Sequence, residues 1–308
     1  MIKTDKILIT GASGIVGKNL VKMLRDKGFD NLLTPSHDEC DFESYINTFN
    51  YFGMFEPDYV INLAALVGGI EYNMSHQSDM LFKNIMINMN VITIADMFNV
   101  KKLMTVGSSC MYPQWSTKTK ETDLLAGKPE STNEGYALAK IAAVKYCDYL
   151  REKKSRDFIS IIPCNIYGDL DKSSLEKNHA VSAIMKKVHI AKITGAPMVT
   201  IFGTGKPVRE FVHVKDVCSA ILFLIENYSQ SGAVNVGTNE SVSIYKLTEI
   251  ICESVGYIGV IKNDLSKPDG SMIKIMDNTK LRELGWSYSV SLKDGLKSMY
   301  ENYLEDFE

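Results

Sequence analysis

The chain has 308 residues, 45% of them apolar and 23% charged, with a formal net charge of −3, which is the make-up of an enzyme-sized globular protein with one large domain or two that share a core. So weak a net field gives nucleic acid or an anionic membrane no reason to collect on it, and any phosphate it binds must be held by local groups. The six cysteines (Cys40, Cys110, Cys147, Cys164, Cys218, Cys252) form no Cys-x-x-Cys pair, which fits buried or site thiols in a reducing compartment better than disulfides or zinc, so no metal is expected. There is no signal-peptide pattern at the N-terminus and no apolar run near the roughly 18 residues of a membrane span; the expected location is the cytoplasm.

Short apolar runs at 6–10, 31–34, 59–64, 103–107 and 158–163 predict strands covered on both faces, as in a parallel sheet. Amphipathic stretches separate them. In 17–27, Val16, Leu20, Met23 and Leu24 fall on one helical face and Gly28 stops the helix; 81–98 and 135–150 read as longer helices with more apolar residues than one buried face needs. Beyond Asn165 the order loosens into a polar segment at 169–178, a helix at 180–193, a turn at 202–207 and a helix from Val214. A last strand at 233–236 is expected to rejoin the first sheet, and the remainder reads as helix, short strand, a Lys267-Pro268-Asp269-Gly270 turn and a terminal helix.

Between the first strand and first helix stands Gly11-Ala12-Ser13-Gly14-Ile15-Val16-Gly17, three glycines at three-residue spacing. Such a turn lets backbone amides approach a pyrophosphate at a helix N-terminus. It predicts an α/β fold: a Rossmann doubly wound parallel sheet over 1–165 with returning segments near 212–240, and a smaller, discontinuous α/β substrate-binding lobe from 166–211 and 241–308. Glycines alone are weak evidence, because turns need them anyway. Further weight comes from Tyr136 and Lys140, four apart on one helical face, with Ser108 at the end of the fourth strand. A lysine beside a phenol is expected to lower the phenol's pKa, so that it can exchange a proton with a carbonyl oxygen near neutral pH.

With these residues, the chain resembles the extended short-chain dehydrogenase/reductases and, among them, the GDP-L-fucose synthase family of GDP-4-keto-6-deoxy-mannose epimerase/reductases. The likeness runs through 63–70 (LAALVGGI), 107–113 (GSSCMYP), 129–134 (PESTNE), 209–214 (REFVHV) and 266–270 (SKPDG). It implies NADP(H), with NAD(H) as the alternative, held by the glycine turn, Ser36, His37, Asp41, Phe42, Ala64, Ala65, Val106, Tyr136, Lys140, Pro163, Asn165 and Ile166. It implies Ser108, Cys110, Tyr136, Lys140 and His179 as catalytic residues, and Ser109, Asn165, His179, Lys187, Phe202, Arg209 and Asp269 as contacts to a GDP-linked 4-keto-6-deoxy sugar. A 4-keto group acidifies the protons at C3 and C5, so a thiol and an imidazole on opposite faces of the ring would exchange them. Ser108 and Tyr136 would bind the C4 oxygen in both half-reactions. The likeness also implies a homodimer joined through the helices 81–98 and 135–150.

Three features depart from the family pattern. The stretch 34–39 (TPSHDE) carries no arginine for a ribose 2′-phosphate, Phe202 replaces a tryptophan, and the segment 168–178 lacks the usual aromatic and proline residues. The last leaves a second reading, a reductase without epimerase activity acting on a GDP-6-deoxy-4-keto-heptose in surface-polysaccharide synthesis. A 4,6-dehydratase would show Asp-Glu where this chain has Ser109-Cys110, and a 4-epimerase with tightly held NAD would need no cysteine there. A non-catalytic dinucleotide sensor is the remaining alternative; such proteins tend to lose the tyrosine or lysine kept here.

Overall fold

The computed structural model describes residues 1–114, 117–168, 180–267, 269 and 271–305. Six strands form one parallel sheet in the spatial order Val234–Val236, Phe158–Pro163, Lys102–Val106, Tyr59–Asn62, Ile7–Thr10, Leu32–Leu33. Period-two alternation divides their side chains between two cores. Ile7, Ile9, Ile61 and Met104 pack with Leu20 and Leu24 of the helix Ile15–Asp26 and Val217, Ile221 and Leu224 of the helix Val214–Asn227. Leu8, Val60 and Leu103 face the opposite way, onto Val91, Ile94 and Ala95 of the helix Gln77–Met97 and Ala143 and Cys147 of the helix Glu134–Lys154. The sheet is therefore doubly wound, and the strand at 233–236 does rejoin it at the edge beside Phe158–Pro163.

Chain direction makes all six carboxyl ends line one edge. The chain steps outward from Ile7–Thr10 to Leu32–Leu33 and then reverses to Tyr59–Asn62, and the reversal opens the crevice where α/β sheets bind ligands. The third strand stops at Asn62, short of the predicted Ala64, because the Thr10 hydroxyl accepts the N–H groups of Leu63 and Ala64 (3.1 and 3.0 Å) that a longer ladder would have used.

A smaller sheet orders Ser241–Ser243, Val208–His213, Ile273–Met276 and Lys118–Thr119, with Asn165–Tyr167 also paired to Val208–His213. Its helices Ala180–Ile193, Ile244–Val255 and Leu292–Glu305 share a core of Met185, Val188, Leu247, Ile251, Leu296 and Met299. Several elements were not read from the sequence, among them a helix and a strand. The helix Tyr45–Phe55 is rich in aromatic and asparagine residues, poor helix formers, and is started by Ser44, whose side chain accepts the Asn47 N–H. The strand Met198–Phe202 pairs with Val260–Asp264, the short strand expected before the Lys-Pro-Asp-Gly turn. Among the described residues no helix is long and apolar enough to cross a membrane.

Candidate active site

The glycine turn is built by close approach. Gly11 has φ +65°, and a Cβ there would lie 2.8 Å from the Ala64 backbone nitrogen; one on Gly17 would lie 2.4 Å from the Gly11 carbonyl oxygen. Glycine at both positions lets the first helix start against the turn and the turn lie against the segment after the third strand. Gly14 begins the helix with no side-chain cap, and no acidic residue stands in the first turn. The free N–H groups and positive helix end therefore face the crevice, as binding of a pyrophosphate requires.

Beneath this turn runs a buried chain of amides. Thr10 Oγ1 donates to Asn62 Oδ1 (2.7 Å), Asn62 Nδ2 to Asn88 Oδ1 (2.9 Å) and Asn88 Nδ2 to the Asn84 carbonyl (2.7 Å). Asn84 then clasps Leu66 at both its N–H and its C=O (3.0 and 3.1 Å). Ala64 and Ala65 are thus fixed from both sides. Sequence reasoning named the two alanines and missed their support; the available signal was Asn84 and Asn88, one turn apart in an otherwise apolar helix. After the second strand, the Ser36 N–H is occupied by the Glu39 carboxylate (2.7 Å), while exposed His37 lies 3.8 Å from Asp41. Phe42 is buried, and Asn90 donates to its carbonyl (3.0 Å).

At the fourth strand's carboxyl end, the Ser108 hydroxyl caps the short 3-10 turn Ser109–Met111, accepting the Cys110 N–H at 3.5 Å. Tyr136 and Lys140 face the same place from the helix Glu134–Lys154, with Nζ of Lys140 5.7 Å from the Tyr136 ring centroid. Lys140 is only 2% exposed and has no carboxylate partner among the described residues. Burial pulls its ammonium down to about 8, against the influence of Cys110. Burial, with Cys110 adding to it, pushes the Tyr136 phenol up. The lowering of the Tyr136 phenol expected from its neighbouring lysine is not found: in the folded protein desolvation, with Cys110, raises it. The buried Cys110 thiol is also pushed up by desolvation, with Lys274, the Ser108 hydrogen bond and Lys140 opposing and Glu130 reinforcing. Tyr136 and Cys110 consequently hold their protons at neutral pH. A proton acceptor must come from elsewhere; His179, named for that role from the sequence, lies outside the described residues, as does most of the segment 168–178.

The basic limb of activity should follow Lys140. With cationic Lys140 required, kcat/KM for the dinucleotide, which reports the free enzyme, is expected to be full below pH 8 and to fall as pH rises through about 8. Lys140→Arg, charged throughout, should remove that limb from a pH–rate profile even at reduced activity.

On the substrate side, the half-buried Arg209 donates from Nη1 to the Val208 carbonyl (2.9 Å), its charge disfavoured by burial and favoured by Glu130. Lys274 sits opposite it in strand register and ion-pairs with Glu130 at 3.7 Å. Sequence reasoning missed Lys274, whose place depends on that register. Ser109 is buried and lines a narrow crevice with Glu130 and Lys274. Pro163 ends its strand, Val106 ends the fourth, and Asn165 Nδ2 donates to the Glu210 carbonyl (2.8 Å), with Ile166 next to it in the strand Asn165–Tyr167.

A second group forms around Phe202, which is 55% exposed. Lys187 Nζ lies 4.2 Å and Lys267 Nζ 5.6 Å from its ring centroid, so Lys187 is engaged with the ring and is not simply one of a solvated pair with Lys186. Asp269 accepts from the Thr204 N–H (2.8 Å) and hydroxyl (2.7 Å) and closes the turn after Phe202. Among the described residues no side-chain hydrogen bond or ion pair links this group to the Cys110 group.

The sequence profile of the NAD dependent epimerase/dehydratase family matches residues 7–237. GDP-L-fucose synthase 1 of Arabidopsis thaliana is 42% identical over 99% of this chain and 94% of its own length. A GDP-6-OMe-4-keto-L-xylo-heptose reductase from C. jejuni superposes with a TM-score of 0.94 at 30% identity, and a GDP-mannoheptose C4 reductase from Campylobacter jejuni with NADP bound with 0.90 at 31%, each covering 99% of both chains. With its glycine turn, its Ser-Tyr-Lys group and these relatives, the chain belongs to the NAD dependent epimerase/dehydratase family, alongside the GDP-L-fucose synthases.

Proposed function

We propose that this protein reduces the C4 ketone of a GDP-linked 4-keto-6-deoxy sugar with NADPH, after exchanging the protons at C3 and C5. The observation that carries the reading is the convergence of Ser108, Cys110, Tyr136 and Lys140 at the carboxyl edge of the sheet, beside a glycine turn shaped for a pyrophosphate. NADPH, when bound, supplies the hydride for C4. Tyr136 donates its proton to the C4 oxygen, and Ser108 supplies a second hydrogen bond there, stabilising an enolate in one half-reaction and an alkoxide in the other. Lys140 keeps a positive charge beside that oxygen and, among the described residues, has no carboxylate partner that would neutralise it. Cys110, holding its proton, is the donor to one face of the ring, with His179 as the base on the other. Arg209, Lys274 and Lys187 supply the local cations that a diphosphate needs in a protein of net charge −3.

NADPH is favoured over NADH by the NADP-bound C. jejuni reductase at 31% identity. Phe82, Leu138 and Tyr149 are exposed on the helices Gln77–Met97 and Glu134–Lys154, which supports a homodimer joined through those helices; sedimentation of the purified, cytoplasmically expressed protein tests it. The heptose reading is supported by the C. jejuni heptose reductase at TM-score 0.94. Incubation with GDP-4-keto-6-deoxy-mannose and NADPH in deuterated water separates the two. Deuterium at C3 and C5 of the product is the expected result, reduction without exchange means a pure reductase, and faster turnover with NADH than with NADPH overturns the cofactor assignment.

A further inference from the structure

We infer that Gln77 is a positioning residue for Tyr136, capping the catalytic helix from a neighbouring helix. The inference rests on Tyr136 being the proton donor. The helix Glu134–Lys154 begins without a cap of its own, because Asn133 makes no side-chain bond to it. Helix starts carry N–H groups that need outside partners. Here the Gly135 N–H donates to Gln77 Oε1 at 2.7 Å, while Gln77 Nε2 donates to the Ser131 carbonyl at 2.9 Å. One amide thereby fixes both ends of the segment 131–135 that leads into Tyr136.

The local fold presents Gln77 for this task. The chain breaks its helical course at His76 (φ −125°, ψ 34°), so Gln77 is the first residue of a new helix and points across to 131–135. From the preceding short helix, buried Asn73 adds a third bond, Nδ2 to Asn133 Oδ1 at 2.7 Å. Contact is close enough that a Cβ on Gly135 would lie 2.3 Å from the Gln77 carbonyl oxygen. The backbone of the residue before Tyr136 therefore rests directly on Gln77. A displacement of about 1 Å at a reacting group can cost about a hundredfold in rate, so loss of this cap should appear in turnover before it appears in binding.

The test measures kcat, KM for the sugar nucleotide and the dissociation constant of NADPH for Gln77→Ala, Gln77→Glu and Tyr136→Phe, with urea unfolding of each. Gln77→Ala is expected to lower kcat by about tenfold or more, leaving KM and NADPH binding within about twofold. Gln77→Glu keeps an acceptor for the Gly135 N–H and adds a charge that suits a helix N-terminus; it should return kcat to within about threefold of the parent although the Ser131 bond is lost. If Gln77→Ala does not fold, Gln77→Met, similar in volume but without the amide, carries the same expectation. The inference is overturned if Gln77→Ala keeps kcat within twofold while Tyr136→Phe does not, or if the glutamate variant is no better than the alanine one. Full activity in Tyr136→Phe would instead remove the proton-donor reading itself, and the inference with it.

Discussion

Replacing Tyr136 by phenylalanine is expected to lower kcat for ketone reduction by about 10²–10⁴-fold, the usual worth of a positioned general acid, with NADPH affinity within about threefold of the parent. The asymmetry follows from which groups do what. In the proposed reading the dinucleotide is held mainly by Gly11, Gly14, Gly17 and the open helix start, with the Tyr136 hydroxyl a minor contact. Proton delivery to the C4 oxygen is assigned to the phenol in that same reading: burial holds its proton on at neutral pH, and the removed hydroxyl leaves the ring in place. Cys110 is another protonated group at the site, but its turn is set by Ser108 and its thiol is buried. Single-turnover oxidation of NADPH, followed by absorbance with saturating sugar nucleotide, measures the effect; a rate within tenfold of the parent would sink the assignment of Tyr136 as the acid.

Much of the fold can be read along the chain because a sheet buried on both faces leaves continuous apolar runs, and the runs at 6–10, 103–107 and 158–163 agree with the strands to within a residue. The glycine turn is equally plain, since two of its glycines are forced by backbone contacts that no side chain permits. What stays hidden depends on depth or on distant partners. Lys140 and Tyr136 are visible as a pair four apart, yet whether coupling or desolvation governs their protons depends on burial, which spacing does not carry. Asp269 meets Thr204 from 65 residues away. Lys274 stands by Glu130 and Arg209 only through strand register. The amides at 62, 84 and 88 read as ordinary polar positions until strand and helix are brought together around Thr10.

Glu210 is the sharpest case, a residue inside a family-like segment to which sequence reasoning gave no role. It is fully buried between the two sheets. One carboxylate oxygen accepts the N–H groups of Thr238 (2.6 Å) and Asn239 (2.7 Å), in the loop after the edge strand Val234–Val236; the other accepts the N–H of Met276 (2.8 Å) in the small sheet. Gly237 has to be glycine for this, because a Cβ would come within 2.3 Å of the carboxylate. Burial pushes the carboxyl up, and the three backbone donors work against that, so the group serves as an acceptor joining the sheets and not as a free acid. Glu210→Ala leaves the buried N–H groups of Thr238 and Met276 unpaired at about 1–3 kcal/mol each, and that of partly buried Asn239 at less, and a loss of about 3–5 kcal/mol is expected in urea unfolding followed by tryptophan fluorescence. Glu210→Gln keeps an acceptor oxygen for Thr238 and Asn239 but turns an NH₂ toward the Met276 N–H, so about 1–2 kcal/mol should be lost. Because the adjacent residue on that strand is Arg209, the alanine variant should also raise KM for the sugar nucleotide, while the glutamine variant keeps it near the parent value. Equal and small losses in the two variants would show that the carboxylate fills space between the sheets without holding them together.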